Sequence, residues 1–254
     1  MLDKEQARKA ILALLLVAAS GCSTMGRVES PVTWSDSYGM DSVPAPDAED
    51  WTRWMAQPWQ VDGEPRVSIV LDDDGNEVEV RSCEELFRAD ERGWTGSYLD
   101  GRIQRAWAST CYGARAIAGA VPAARSHLEG FVLDESSVRA LPVLLGTIIS
   151  GDNERTVRQL HAAVGTLGDY IGEAVVVTRP DGGATIENDW GGRQGLTIKA
   201  RGDFNHDGVA DLLLSTSSWI PGASHWSHGL WIITRDAPGA PLRVVEEIPV
   251  MGLL

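Results

Sequence analysis

Four oxygen-bearing side chains recur through Gly202-Asp203-Phe204-Asn205-His206-Asp207-Gly208-Val209-Ala210-Asp211. With Asp203 as position 1, Asn205, Asp207 and Asp211 fall at positions 3, 5 and 9, a spacing that lets a tightly coiled loop turn all four toward one hard cation. Gly208 at position 6 supplies the sharp turn that such coiling needs. The carbonyl of Val209 adds a fifth oxygen. Calcium is the cation an all-oxygen set of this kind suits. An acidic surface turn that binds nothing is the competing reading.

The loop resembles the calcium loop of FG-GAP and related VCBS-like repeats over residues 202–214. An EF-hand needs a bidentate Glu at position 12, where this chain has Leu214 inside an apolar run. Dockerin-type loops also carry an acid there, so the acid at position 9 favours the FG-GAP kind. In that family the loop joins two strands of a propeller blade, and a propeller requires several copies. Asp72-Asp73-Asp74-Gly75 fits only positions 3 to 6, with Val70 and Val78 where ligands at 1 and 9 belong. Around Asp181-Gly182 the ligand positions hold Val177, Arg179 and Thr185. Both segments read as hairpin turns. A solitary loop implies a metal clip between two strands and not a propeller.

Other side chains with chemical potential lie further along. His225 and His228 are three residues apart, close enough to share a transition metal, and His206 is a conceivable third donor from the neighbouring connection. Solvated loop histidines stacked on Trp226 are the plainer reading. The chain has ten Trp against four Tyr and three Phe, so indoles dominate its aromatic surface and core alike. Trp51, Trp54 and Trp59 cluster near the start of the folded part, whereas Trp219, Trp226 and Trp231 flank the region after the acidic loop. Together Trp219, His225, Trp226 and His228 form a candidate binding surface, since exposed indoles stack on sugar rings or anchor a protein partner. No nucleophile elbow, phosphate-binding glycine loop or Cys/His pair is present, and no catalytic residues are assigned.

The N-terminus places Lys4, Arg8 and Lys9 ahead of the apolar run Ala10 to Ala19. Residues 1–21 therefore read as a secretory signal, because the run is shorter than the ~20 residues of a permanent span. Ala19-Ser20-Gly21-Cys22 resembles the bacterial lipobox, which implies lipidation of Cys22 as the mature N-terminus and anchorage to a membrane. Ser23 in the following position leans the resemblance toward the outer membrane. Residues 22–50, with Pro31, Pro44 and Pro46, read as a flexible tether, and a single domain follows over 51–254.

Removing the signal moves the formal charge from -14 to -15, which argues against nucleic acid as a partner. The expected partners are the membrane, through Cys22, and an envelope protein or glycan. Once Cys22 is lipidated, Cys83 and Cys111 remain in an oxidising compartment. A structural disulfide between them would stabilise by roughly 3.5 kcal/mol through loop entropy; two buried thiols are the alternative.

The elements that must hold these groups follow from periodicity. Arg66 to Leu71 and Glu77 to Arg81 alternate as a hairpin, and Cys83 to Ala89 begins a helix. Tyr98 to Ala120 repeats apolar residues every three or four positions and stops before Pro122. Ser136 to Leu145 and Asn153 to Leu167 read as further helices, the second capped by Asp152 or Asn153. After Ile171 the period becomes two, giving strands over Ala174 to Thr178, Ala184 to Glu187, Leu196 to Arg201, Asp211 to Ser215, Leu230 to Thr234 and Leu242 to Glu246. The expectation is an α+β fold: an N-terminal hairpin, several helices on one sheet face, then an antiparallel meander carrying the acidic loop. The functional expectation is a non-catalytic, lipid-anchored envelope protein with a structural calcium. An envelope hydrolase for a glycan or ester, with the metal loop near its cleft, is the alternative.

Overall fold

Residues 51–61, 63–96, 101–189, 191–222 and 226–250 are described by the computed structural model. The expected export signal, Cys22, the tether and His225 lie outside them. The described chain starts with α1 (Trp51–Ala56) and a short ribbon of β1 (Gln60–Val61) and β2 (Glu64–Pro65). The expected hairpin follows as β3 (Ser68–Leu71) and β4 (Glu77–Val80). Its turn is closed by Asp72, whose Oδ1 accepts the amides of Asp74 at 3.0 Å and Asn76 at 2.8 Å. That is the side-chain turn chemistry of Asp and needs no metal.

Ser82 caps α2 (Cys83–Asp90) by accepting the Glu85 amide at 3.2 Å. Strand β5 (Thr95–Gly96) then adds to β3, and α3 (Gly101–Gly119) follows. The Cys83–Cys111 disulfide joins α2 to α3. Around it, Trp51, Trp59, Val70, Val80, Leu86, Trp107 and Ile117 form one buried cluster.

The next helices are shorter than periodicity alone implies. Ser136 to Leu145 divides into α4 (Glu135–Arg139) and a 3-10 turn over Val143–Leu145. Pro142 divides them, since it lacks an N–H and biases Leu141 away from the helical region. The helix expected at 153–167 is α5 (Gly151–Ala162), capped by Ser150 and not by Asp152 or Asn153. It ends where Val164 takes a left-handed φ of 57° and the Gly165 amide donates to Leu160 at 2.7 Å. Leu167 opens a separate helix, α6 (Leu167–Ile171), through a Thr166/Asp169 capping box.

All six expected C-terminal strands are present, as β6 (Val175–Thr178), β7 (Ala184–Glu187), β8 (Arg193–Gly202), β9 (Asp211–Trp219), β10 (Trp226–Thr234) and β11 (Arg243–Glu247). They form one antiparallel sheet in simple sequential order. The architecture is α+β, but helices do not occupy one face alone. Leu212 and Leu214 point into the cluster lined by Leu133, Val138, Leu141, Leu145 and Leu167. Leu213, Leu230 and Ile232 point the opposite way, into the cluster containing the disulfide. A run such as Leu212-Leu213-Leu214 puts apolar side chains on both faces, so both require cover.

Candidate metal loop and tryptophan face

The acidic loop joins β8 to β9, as expected for a clip between adjacent strands, and is fastened to the chain that leaves α3. Val121 and Asp203 exchange two backbone hydrogen bonds at 3.0 Å. Gly208 accepts the amides of Ala124 and Arg125, and the Ala210 amide donates to Arg125 at 2.8 Å. His206 adds a contact from Nε2 to the Gly119 carbonyl at 3.0 Å. The sequence offers no signal for this docking, because Val-Pro-Ala-Ala-Arg is an ordinary exit from a helix.

Within the loop, Gly208 has φ 83° and His206 φ 63°; the first is the left-handed turn expected of the position-6 glycine. Asp203 is 2% exposed, and its two oxygens accept the amides of Asp207 at 3.1 Å and Gly208 at 2.7 Å. Asn205 Oδ1 accepts the Asp207 amide at 3.1 Å, and Asp207 Oδ1 accepts the Val209 amide at 2.8 Å. The Asn205 amide group donates to Asp207 Oδ2 at 3.0 Å. Both of these side chains face solvent at the rim.

Asp211 differs from the others. It is 0% exposed, its Oδ2 accepts the Phe204 amide at 3.2 Å, and the buried Thr234 hydroxyl is its other hydrogen-bonding neighbour. Burial raises its pKa above the ordinary carboxylate value. The neighbouring Thr234 hydroxyl and the Phe204 amide pull it down, while the charges of Asp207 and Asp203 push it up again. Thr234, itself buried, is a neighbour the spacing of the loop does not reveal. Three carboxylates thus share one field.

A hard cation is matched in kind by this set. A carboxylate offers about four lone-pair directions, so Asp203 and Asp207 can ligate while still accepting backbone amides. Asp211 accepts the Phe204 amide and lies beside the Thr234 hydroxyl, and a carboxylate with these neighbours still has lone pairs for a cation. The holders would be Asp203, Asn205, Asp207, the Val209 carbonyl and Asp211. Among the described residues, no group of three or more His, Cys, Asp or Glu side chains already converges as a metal cluster.

The second candidate surface lies on strands and not in a loop. Trp226, Ser227 and His228 belong to β10, paired with Trp219, Ser218 and Ser217 of β9. The polar run Ser215 to Ser218 hides this extension. Its buried members are satisfied, Ser218 sharing a 2.7 Å hydrogen bond with Thr147 and Thr216 accepting from the Trp231 indole at 3.2 Å. Trp219 and Trp226 stack at 5.6 Å between centroids, and the Trp226 indole donates to His228 Nε2 at 2.8 Å. Both rings are half-buried. Arg193, in register with Trp219, pairs with Glu187 at 3.2 Å. Trp51, Trp59 and Trp231 are instead buried.

Strand β9 carries Asp211 at one end and Trp219 at the other, about 26 Å apart at the usual rise per residue. The acidic loop and the tryptophan face therefore do not share a cleft. His206 lies at the loop end and His228 at the other, so these two cannot ligate one metal.

No helix among the described residues is long and apolar enough to cross a membrane. No family model matches the chain, and no curated protein or solved structure matches it either.

Proposed function

We propose that this chain is a non-catalytic, lipid-anchored protein of the cell envelope, held at the outer membrane through Cys22 and braced by one structural calcium. The observation that carries the calcium reading is Asp211, a fully buried carboxylate with two further carboxylates close enough to raise its pKa. Holding a buried carboxylate beside two others is costly, and a bound cation offsets that cost. Calcium would tie the β8–β9 connection to itself and, through the Val121 and Arg125 backbone contacts, would stiffen the chain leaving α3. The Trp219/Trp226 face, at the far end of the same strands, would meet an envelope protein or a glycan. Indoles beside hydroxyls and an Arg/Glu pair suit such partners, while the acidic balance of the chain does not suit nucleic acid.

Isothermal titration with calcium, on protein stripped with chelator, tests this reading. One site with a dissociation constant of about 0.1 to 1 mM is expected, the range of extracellular modules. Absence of heat and of any conformational response would remove the calcium. Mass spectrometry of the mature N-terminus tests the anchor separately, with an acylated Cys22 as the expected species.

A further inference from the structure

Among the described residues, the disulfide cluster takes Ala200, Leu213, Leu230 and Ile232 from one face of the large sheet, all toward the acidic-loop end. Beyond them the same face changes character. Register places Val175, Glu187, Arg193, Trp219 and Trp226 in one row across five strands, ~19 Å at the usual strand spacing, and none of the five is buried. The next row sets Gly195 between Thr185 and Ser217. Gly195 is needed for space: a Cβ there would lie 2.9 Å from Ser217 Oγ, 3.3 Å from Arg179 Nη1 and 3.8 Å from the Trp219 ring. At Gly183 a Cβ would collide with Arg179 Nη2. The two glycines let Arg179 reach along the sheet from the β6–β7 turn, donating from Nη1 to the Ala184 carbonyl at 3.1 Å and from Nη2 to Thr197 Oγ1 at 2.8 Å. A guanidinium, a hydroxyl and an indole thus border one point on an open sheet face.

We infer that this face binds an uncharged oligosaccharide, an inference that rests on the Trp219/Trp226 surface being the contact surface of a non-catalytic protein. Sugar rings present C–H faces that lie on indoles, and hydroxyls that exchange hydrogen bonds with Arg179, Thr197 and Ser217. Charge selects a neutral sugar. Arg179 pairs with Asp181 at 3.1 Å and Arg193 with Glu187 at 3.2 Å, so neither guanidinium leaves a net charge for a polyanion, which the -14 chain would repel. Layout selects a sugar over a protein. Protein interfaces have an apolar centre and a polar rim. Here the order is reversed: Val175 stands at one end of the row and the two indoles at the other, with charged pairs and hydroxyls between. The row is longer than one sugar ring, so the ligand is a chain of them.

The test is isothermal titration of the full chain carrying Cys22→Ser, which removes the acyl anchor, with cellohexaose, maltohexaose, mannohexaose and chitohexaose. At least one is expected to bind with a millimolar or tighter dissociation constant, in calcium and in chelator alike, which keeps the outcome separate from the calcium reading. Trp219→Ala is expected to weaken binding about tenfold and Ser217→Ala several-fold, while Val164→Ser, outside the face, leaves it unchanged. A second readout needs no variant: in nitrogen-15 spectra of the wild type, the sugar is expected to shift the indole N–H signals of Trp219 and Trp226 and not those of the buried Trp59 and Trp107. Mass spectrometry of the recovered sugar separates the two readings, because binding followed by cleavage supports the site and overturns the non-catalytic reading. Failure of all the hexasaccharides to bind at millimolar concentration overturns the inference and leaves the face to a protein partner. Binding indifferent to Trp219→Ala, or without a shift of either surface indole, overturns it too.

Discussion

The Phe204 amide donates to Asp211 Oδ2 at 3.2 Å, closing the acidic loop across seven residues. The same carboxylate is fully buried beside the Thr234 hydroxyl and within the field of Asp203 and Asp207. Asp211→Asn keeps the acceptor for Phe204 and removes the charge. In chelator the variant is expected to be more stable than wild type, by roughly 1 to 3 kcal/mol, because a buried charge facing two other carboxylates is gone. Urea midpoints in chelator and in calcium check both halves: the variant gains without metal and loses the calcium increment.

Gly208→Ala isolates the backbone turn. A Cβ there meets only Ala124 Cβ, at 3.9 Å, so no collision accompanies the substitution. The cost is the left-handed φ, about 1 to 2 kcal/mol. Equilibrium unfolding in chelator is expected to show that loss.

The disulfide joins α2 to α3 across a separation of 28 residues. Replacing both cysteines with Ser is expected to cost roughly 3.5 kcal/mol, and about 2 to 4 °C per kcal/mol for a domain of this size. Thermal melts of the variant and of the reduced wild type should agree.

Asp169 accepts the Thr166 amide and hydroxyl in the capping box of α6, and these bonds hold its carboxyl below the ordinary value. A depressed folded pKa contributes stability that is present above the unfolded value of about 3.9 and is lost as pH falls through the folded value. The urea midpoint of Asp169→Ala is therefore expected below wild type at pH 6. The gap should close in acid below about pH 4.

Much of this architecture is legible in the sequence, for identifiable reasons. Alternation between Gly and Asp turns locates six strands, and the three- and four-residue spacing around Trp107 and Cys111 locates α3. Three things are not legible. Ser215 to Ser218 continues β9 although its polarity breaks the apolar alternation, because the backbone ladder and buried partners such as Thr147 replace apolar burial. The second helical layer over the sheet is implied by Leu213 only once its neighbours Leu212 and Leu214 are known to face the opposite way. The docking of the acidic loop on Val121 to Arg125 is made by backbone atoms, which leave no trace in side-chain type. The loop's internal spacing is readable; Thr234 and the complete burial of Asp211 are tertiary facts.

The central claim is that the Asp203 to Asp211 loop takes calcium and that this braces the fold. It is met most directly by thermal unfolding of wild type and Asp207→Ala, each in chelator and in calcium at ten times the dissociation constant. Selective binding to the native state at that concentration is worth about 1.4 kcal/mol, or about 3 to 6 °C for a domain of this size. A rise of that order in wild type, absent from Asp207→Ala, is the expected result. Equal melting temperatures with and without calcium in a folded wild-type protein would contradict the claim.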